Sequence, residues 1–156
     1  MACVRRSDQT RRQIPESGVY LVLRIQVSDM QSIQLVGWYS ELPHGEMSGP
    51  SLSKRDAIDV ADRAQISEYL DAGKVVAIAA VNVVDVIDGL TVIDRELRTL
   101  TDGQFVWPSD LSYYVSKYGS SLPESFLSHV RRSGQPPPVT DDQVYDVVDF
   151  LMSRWN

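Results

Sequence analysis

The chain has 156 residues, 43% hydrophobic and 8% aromatic, enough for one domain with a substantial apolar core. Its formal net charge is −6. Residues 1–15 carry four arginines against Asp8, a net of +3, which leaves −9 on residues 16–156. A body that acidic repels a phosphate backbone, which argues against nucleic acid as a ligand and for a basic protein partner.

No apolar run approaches the ~18 residues needed to cross a bilayer, so no membrane partner is expected. The opening MACVRRSDQTRRQIPESG has basic residues but no apolar core after them, unlike a secretory leader. Cys3 is the single cysteine and cannot form an intramolecular disulfide. A cytoplasmic location is the expectation.

Residues 1–16 read as a loose basic tail, and residues 17–156 as a single α+β domain. GVYLVLRIQV (18–27) and QSIQLVGWYS (31–40) are rich in β-branched and aromatic residues, and Ser28-Asp29-Met30 separates them as the turn of a β-hairpin. Residues 41–53 form a loop punctuated by Pro43, Gly45, Gly49 and Pro50. A helix follows within 54–72, firm after Asp62 as N-cap, with Ile66, Tyr69 and Leu70 inward and Gly73 ending it in the left-handed conformation.

KVVAIAAVNVVDVI (74–87) reads as a central strand bent near Asn82, and Asp88-Gly89 as a two-residue hairpin turn into a return strand over 90–100. Asp102-Gly103 turns the chain into QFVW, which Pro108 stops. Ser109 or Asp110 caps a helix with Leu111, Tyr114, Val115 and Tyr118 on one stripe, ended by Gly119. Pro123 opens another helix, with Phe126, Leu127 and Val130 inward. SGQPPP (133–138) is a stiff connector. The last helix opens on a capping box at Thr140 and buries Val144, Val147, Val148 and Leu151. Strands followed by helices predict one mainly antiparallel sheet covered by C-terminal amphipathic helices.

Catalytic chemistry is sparse. His44 and Glu46 lie two residues apart in the 41–53 loop and could together transfer a proton. His129 shares a helix with Phe126 and Val130, and two histidines with one terminal cysteine do not make an ordinary zinc site. No phosphate-cradling glycine pattern and no nucleophile elbow occurs. No cofactor or metal is expected. Asp85, Asp88, Asp94 and Glu96 cluster around one hairpin. Asp142, Asp146 and Asp149 share a helix face at i, i+4 and i+7, where like charges cost ~0.2–0.5 kcal/mol per pair. A helix that keeps them suits a basic partner. Both carboxylate groups are candidate contact surfaces.

Thr101 to Arg132 carries T-D-G-x-[WF]-x-W-P-x-x-L-x-Y-Y-V followed by L-P-x-x-F-x-x-H-x-R. Here it is Thr101, Asp102, Gly103, Phe105, Trp107, Pro108, Leu111, Tyr113, Tyr114 and Val115, then Leu122, Pro123, Phe126, His129 and Arg131. Together with the preceding ISEYLDAGKVV, this resembles a C-terminal signature of small, mostly uncharacterised bacterial proteins, over about half the chain. The resemblance implies a polymorphic-toxin immunity protein, which needs a stable scaffold and a charged surface rather than an active site. The expected function is therefore a non-catalytic protein-binding module that occludes the active site of a basic cognate toxin. The alternatives are a structural or regulatory subunit docking through Tyr145, Phe150 or Trp155, and an enzyme built on His44 and Glu46.

Overall fold

In the computed structural model, which describes residues 32–156, the expected α+β class is realised. The first half of the expected N-terminal hairpin (18–27) lies outside the described residues. Among the described residues its second half contributes a short strand, β1 (Gln34–Leu35), and Gly37, at φ +76°, turns the chain out of the extended conformation before Trp38. Helix α1 (Val60–Asp71) follows the loop. Then come β2 (Lys74–Ala79), β3 (Val83–Val84), β4 (Val92–Asp94), β5 (Leu97–Thr101) and β6 (Phe105–Pro108). Helices α2 (Leu111–Tyr118), α3 (Glu124–Ser133) and α4 (Asp141–Trp155) complete the order.

The main sheet runs β1-β6-β5-β2, and β3 pairs with β4 in a separate ribbon. All pairs are antiparallel except β1–β6, which is parallel. Alternation along β6 explains the layering. Phe105 and Trp107 face one side, where with Leu100 they meet Ile66, Tyr69 and Leu70 of α1, Leu111, Tyr114 and Val115 of α2, and Phe126 and Val130 of α3. Val106 faces the other side and meets Val147 and Leu151 of α4, with Ile33, Leu35, Val76 and Phe150 around them. The last helix is thus structural on its inner face, and Phe150, a candidate docking residue, belongs to that second core.

The long strands expected over 74–87 and 90–100 are each broken. Residues 80–82 leave the main sheet so that β3 can pair with β4, and Arg95-Glu96 divides β4 from β5. Asp88-Gly89 is therefore not a two-residue hairpin turn but the tip of a longer loop over 85–91, in which Gly89 has φ +70°. The second Asp-Gly pair does turn a hairpin: β5 and β6 pair through Thr99 with Pro108, Leu100 with Trp107 and Thr101 with Val106.

Three capping expectations change. Helix α1 starts at Val60 with Asp59 at the N-cap position, which leaves Asp62 in the first turn. Asp110 occupies the N-cap position of α2, but its carboxylate makes no bond to the helix amides. Gly73 is not left-handed, and Ala72 ends α1 instead. The need for glycine there is steric. A Cβ on Gly73 would stand 2.5 Å from the Trp107 ring and 3.1 Å from Leu100 Cβ. The capping box at Thr140 and the left-handed Gly119 (φ +59°) are as expected.

Gly73→Ala should therefore destabilise the fold by about 1–3 kcal/mol through overpacking against Trp107. Urea unfolding followed by tryptophan fluorescence measures it; a change near zero would show that the indole can move aside.

Candidate functional site

Three aspartates are buried within the described residues, and each gathers chemistry-bearing side chains around it. Asp85 directly follows β3, and its side chain is fully buried. Tyr113, Lys117 and Tyr118 come from one face of α2, where i, i+4 and i+5 spacing brings them together. Asp85 Oδ2 accepts from Tyr118 Oη at 2.6 Å, Tyr113 Oη at 2.8 Å and Lys117 Nζ at 3.1 Å. Oδ1 accepts from the Ile87 amide at 2.8 Å. Lys117 Nζ also reaches Asp88 at 3.2 Å and lies about 5 Å from both tyrosine ring centroids, a cation–π geometry. Burial works to raise the Asp85 pKa, but the bonds from Tyr118, Ile87, Tyr113 and Lys117 outweigh it, and the carboxyl lies below its ordinary value. Asp88 is held well below the carboxylate range by Thr91 and the Leu90 amide, which is how it fastens the loop tip.

Asp102 sits in the β5–β6 turn. Oδ1 accepts from the amides of Gln104 (2.9 Å) and Phe105 (2.7 Å), and Oδ2 from Tyr69 Oη (2.7 Å) and His129 Nε2 (2.9 Å). One carboxylate thus ties the hairpin turn to α1 and α3. Burial, then the bond to Asp102, raises the Tyr69 pKa far above its usual value, so Tyr69 remains a hydrogen-bond donor. His129 is not a free surface histidine. The signature residues Asp102, His129 and Tyr113 thus serve the packing of α1, α2 and α3 on the sheet and its loops.

Asp110 is 1% exposed and faces the 41–53 loop. His44 Nε2 lies 3.3 Å from its Oδ1 and 3.1 Å from its Oδ2, and Oδ2 takes no well-aligned hydrogen bond. The expected His44–Glu46 pair is not made. Glu46 instead forms a two-bond ion pair with Arg154 near the end of α4, which lowers its pKa, and Trp155 packs on Trp38 with ring centroids 5.1 Å apart. Trp38 in turn meets the His44 ring edge-on. Trp155, a candidate docking residue, is therefore engaged within the chain. The Asp110 carboxylate was legible only as a helix cap, since nothing local marks a contact 66 residues away with His44.

The expected acidic hairpin surface is not one patch. Asp85 is buried, Asp88 pairs with Lys117, and Asp94 and Glu96 both lie on Arg98, at 3.6 and 2.7 Å. Asp142, Asp146 and Asp149 are exposed on α4 and make no ion pair with another described residue. Tyr145, 69% exposed, and Met152, 58% exposed, border this face, each at i+3 from one of its aspartates, Asp142 and Asp149. Among the described residues no three His, Cys, Asp or Glu side chains come together in a metal-holding group, and no helix is long and apolar enough to cross a membrane. A groove of about 470 Å³ opens beside His44 and Pro43, with walls from Ala79, Val81, Asn82, Val83, Val84, Val86 and Leu97.

The Asp85 knot makes a pH prediction. Because its folded pKa is depressed, its stabilisation is complete above the unfolded value of ~3.9 and is lost as pH falls through the folded pKa. Asp85→Asn should cost about 1–3 kcal/mol at neutral pH and flatten the acid limb of the stability curve. Urea midpoints from about pH 2 to 7 would show both effects; a variant keeping the full acid limb would place that titration elsewhere. No family model, curated protein or solved structure matches the sequence significantly.

Proposed function

We propose that this chain is a non-catalytic protein-binding module whose contact surface is the outer face of α4, and that its partner is basic. One observation carries the reading. Asp142, Asp146 and Asp149 share one exposed face of α4 and exposed Tyr145 and Met152 border it along one edge, while the inner residues Val147 and Leu151 are fixed in the core. Exposed apolar side chains beside carboxylates that make no ion pair with another described residue offer both the apolar contact and the charge steering that protein interfaces use. The hairpin carboxylates contribute less to this reading, since Asp85 is internal and the others are matched by Lys117 and Arg98.

The concrete form of this function is the one the signature resemblance implies: an immunity protein that plugs the substrate cleft of a basic toxin and prevents catalysis by occlusion. Such a cleft attracts negatively charged substrates, and the acidic stripe would compete for the same field. The alternative reading, a subunit docking through the end of α4, is weakened because Trp155 and Arg154 already hold Trp38 and Glu46 of the same chain.

The test starts from affinity capture at low salt, identification of the bound protein, and stopped-flow association with the purified pair. Replacing Asp142, Asp146 and Asp149 together by lysine should lower the association rate constant by at least about tenfold at low salt and make its ionic-strength dependence shallower. Unchanged kinetics with the fold intact would overturn the assignment of this face.

A further inference from the structure

The groove beside His44 is chemically unlike the acidic helix face. Its described walls are almost wholly apolar, and Val81, Val84 and Val86 stay 36–48% exposed there. Its volume of about 470 Å³ is that of a small-molecule site. His44 is the one titratable side chain among the described residues that line it. The ring is held from behind by buried Asp110 and from the side by Trp38, so it is a positioned group rather than a loose one.

The Asp110 contact decides what His44 can offer. A carboxylate only accepts hydrogen bonds, so the neutral ring keeps its proton on Nε2, toward Asp110. Nδ1 is then left with a lone pair and has no hydrogen-bond partner among the described residues. A group that meets it must donate. Asp110 also offsets the charge of a protonated ring, which removes the attraction an anionic ligand would need. From these constraints we propose that the groove is a binding site for an apolar small molecule carrying one hydroxyl, the hydroxyl donating to His44 Nδ1 and the apolar body lying against Val81, Val84 and Val86. This site is separate from the α4 face and stands or falls independently of the protein-binding reading.

The test uses 1-naphthol, naphthalene and 1-methoxynaphthalene, with amide chemical shifts followed by NMR. 1-Naphthol should bind saturably at one site and shift the amides of residues 79–86 and of His44. Naphthalene and 1-methoxynaphthalene, which cannot donate, should bind about 3- to 10-fold more weakly. His44→Phe should abolish that discrimination while leaving naphthalene binding in place. The methoxy comparison on the unaltered protein carries the test if this variant fails to fold. Val81→Asp should weaken all three ligands. Equal affinity for 1-naphthol and 1-methoxynaphthalene, discrimination that survives His44→Phe, shifts confined to other surfaces, or no saturable binding would each overturn the proposal.

Discussion

The Trp107 indole is the constraint around which the rest is arranged. It lies fully buried on β6, and its Nε1 donates to the Leu70 carbonyl at 3.0 Å, one of the orphan acceptors at the end of α1. A large aromatic surface and a helix terminus are thereby satisfied by one side chain. Tyr69 and Phe126 pack on the same ring at centroid distances of 6.2 and 5.9 Å, so α1 and α3 take their positions from it. The ring also dictates the residue that follows α1, because only glycine lets the backbone pass so close to it.

Around this aromatic centre two of the three buried aspartates act as fasteners. Asp102 binds a hairpin turn to two helices, and Asp85 binds the 85–91 loop to a third. Each accepts several donors, which is the condition under which a buried carboxylate stabilises rather than strains a core. The conspicuous chemistry of the signature segment is absorbed in this way. Its Tyr, His and Asp residues hold the scaffold together, and the surfaces proposed for recognition lie elsewhere, on α4 and in the groove at His44.

Helices were readable from the chain because their signals are local. The stripe of Leu111, Tyr114 and Val115, the capping box at Thr140 and the left-handed Gly119 each depend on neighbours within a few residues. Strand lengths were not, since a continuous apolar run such as 74–87 looks the same whether it stays in one sheet or changes partner at residues 80–82. The carboxylates divided along the same line. Asp142, Asp146 and Asp149 could be placed on an exposed face from helical periodicity, whereas the burial of Asp85 depended on tyrosines 28 and 33 residues away. The His44–Asp110 contact is of the same kind, a product of tertiary packing with no local pattern to betray it.

The parallel pairing of β1 with β6 has a kinetic consequence. Gln34 meets Phe105 and Leu35 meets Val106, so this pairing closes a loop of about seventy residues, while β5 and β6 pair across a short turn. Closing a long loop is entropically more costly than forming a short hairpin. On contact separation alone, the β5–β6 hairpin is expected to form before the β1–β6 pairing. A chain growing from its N-terminus must then make β1 about seventy residues before β6, its parallel partner.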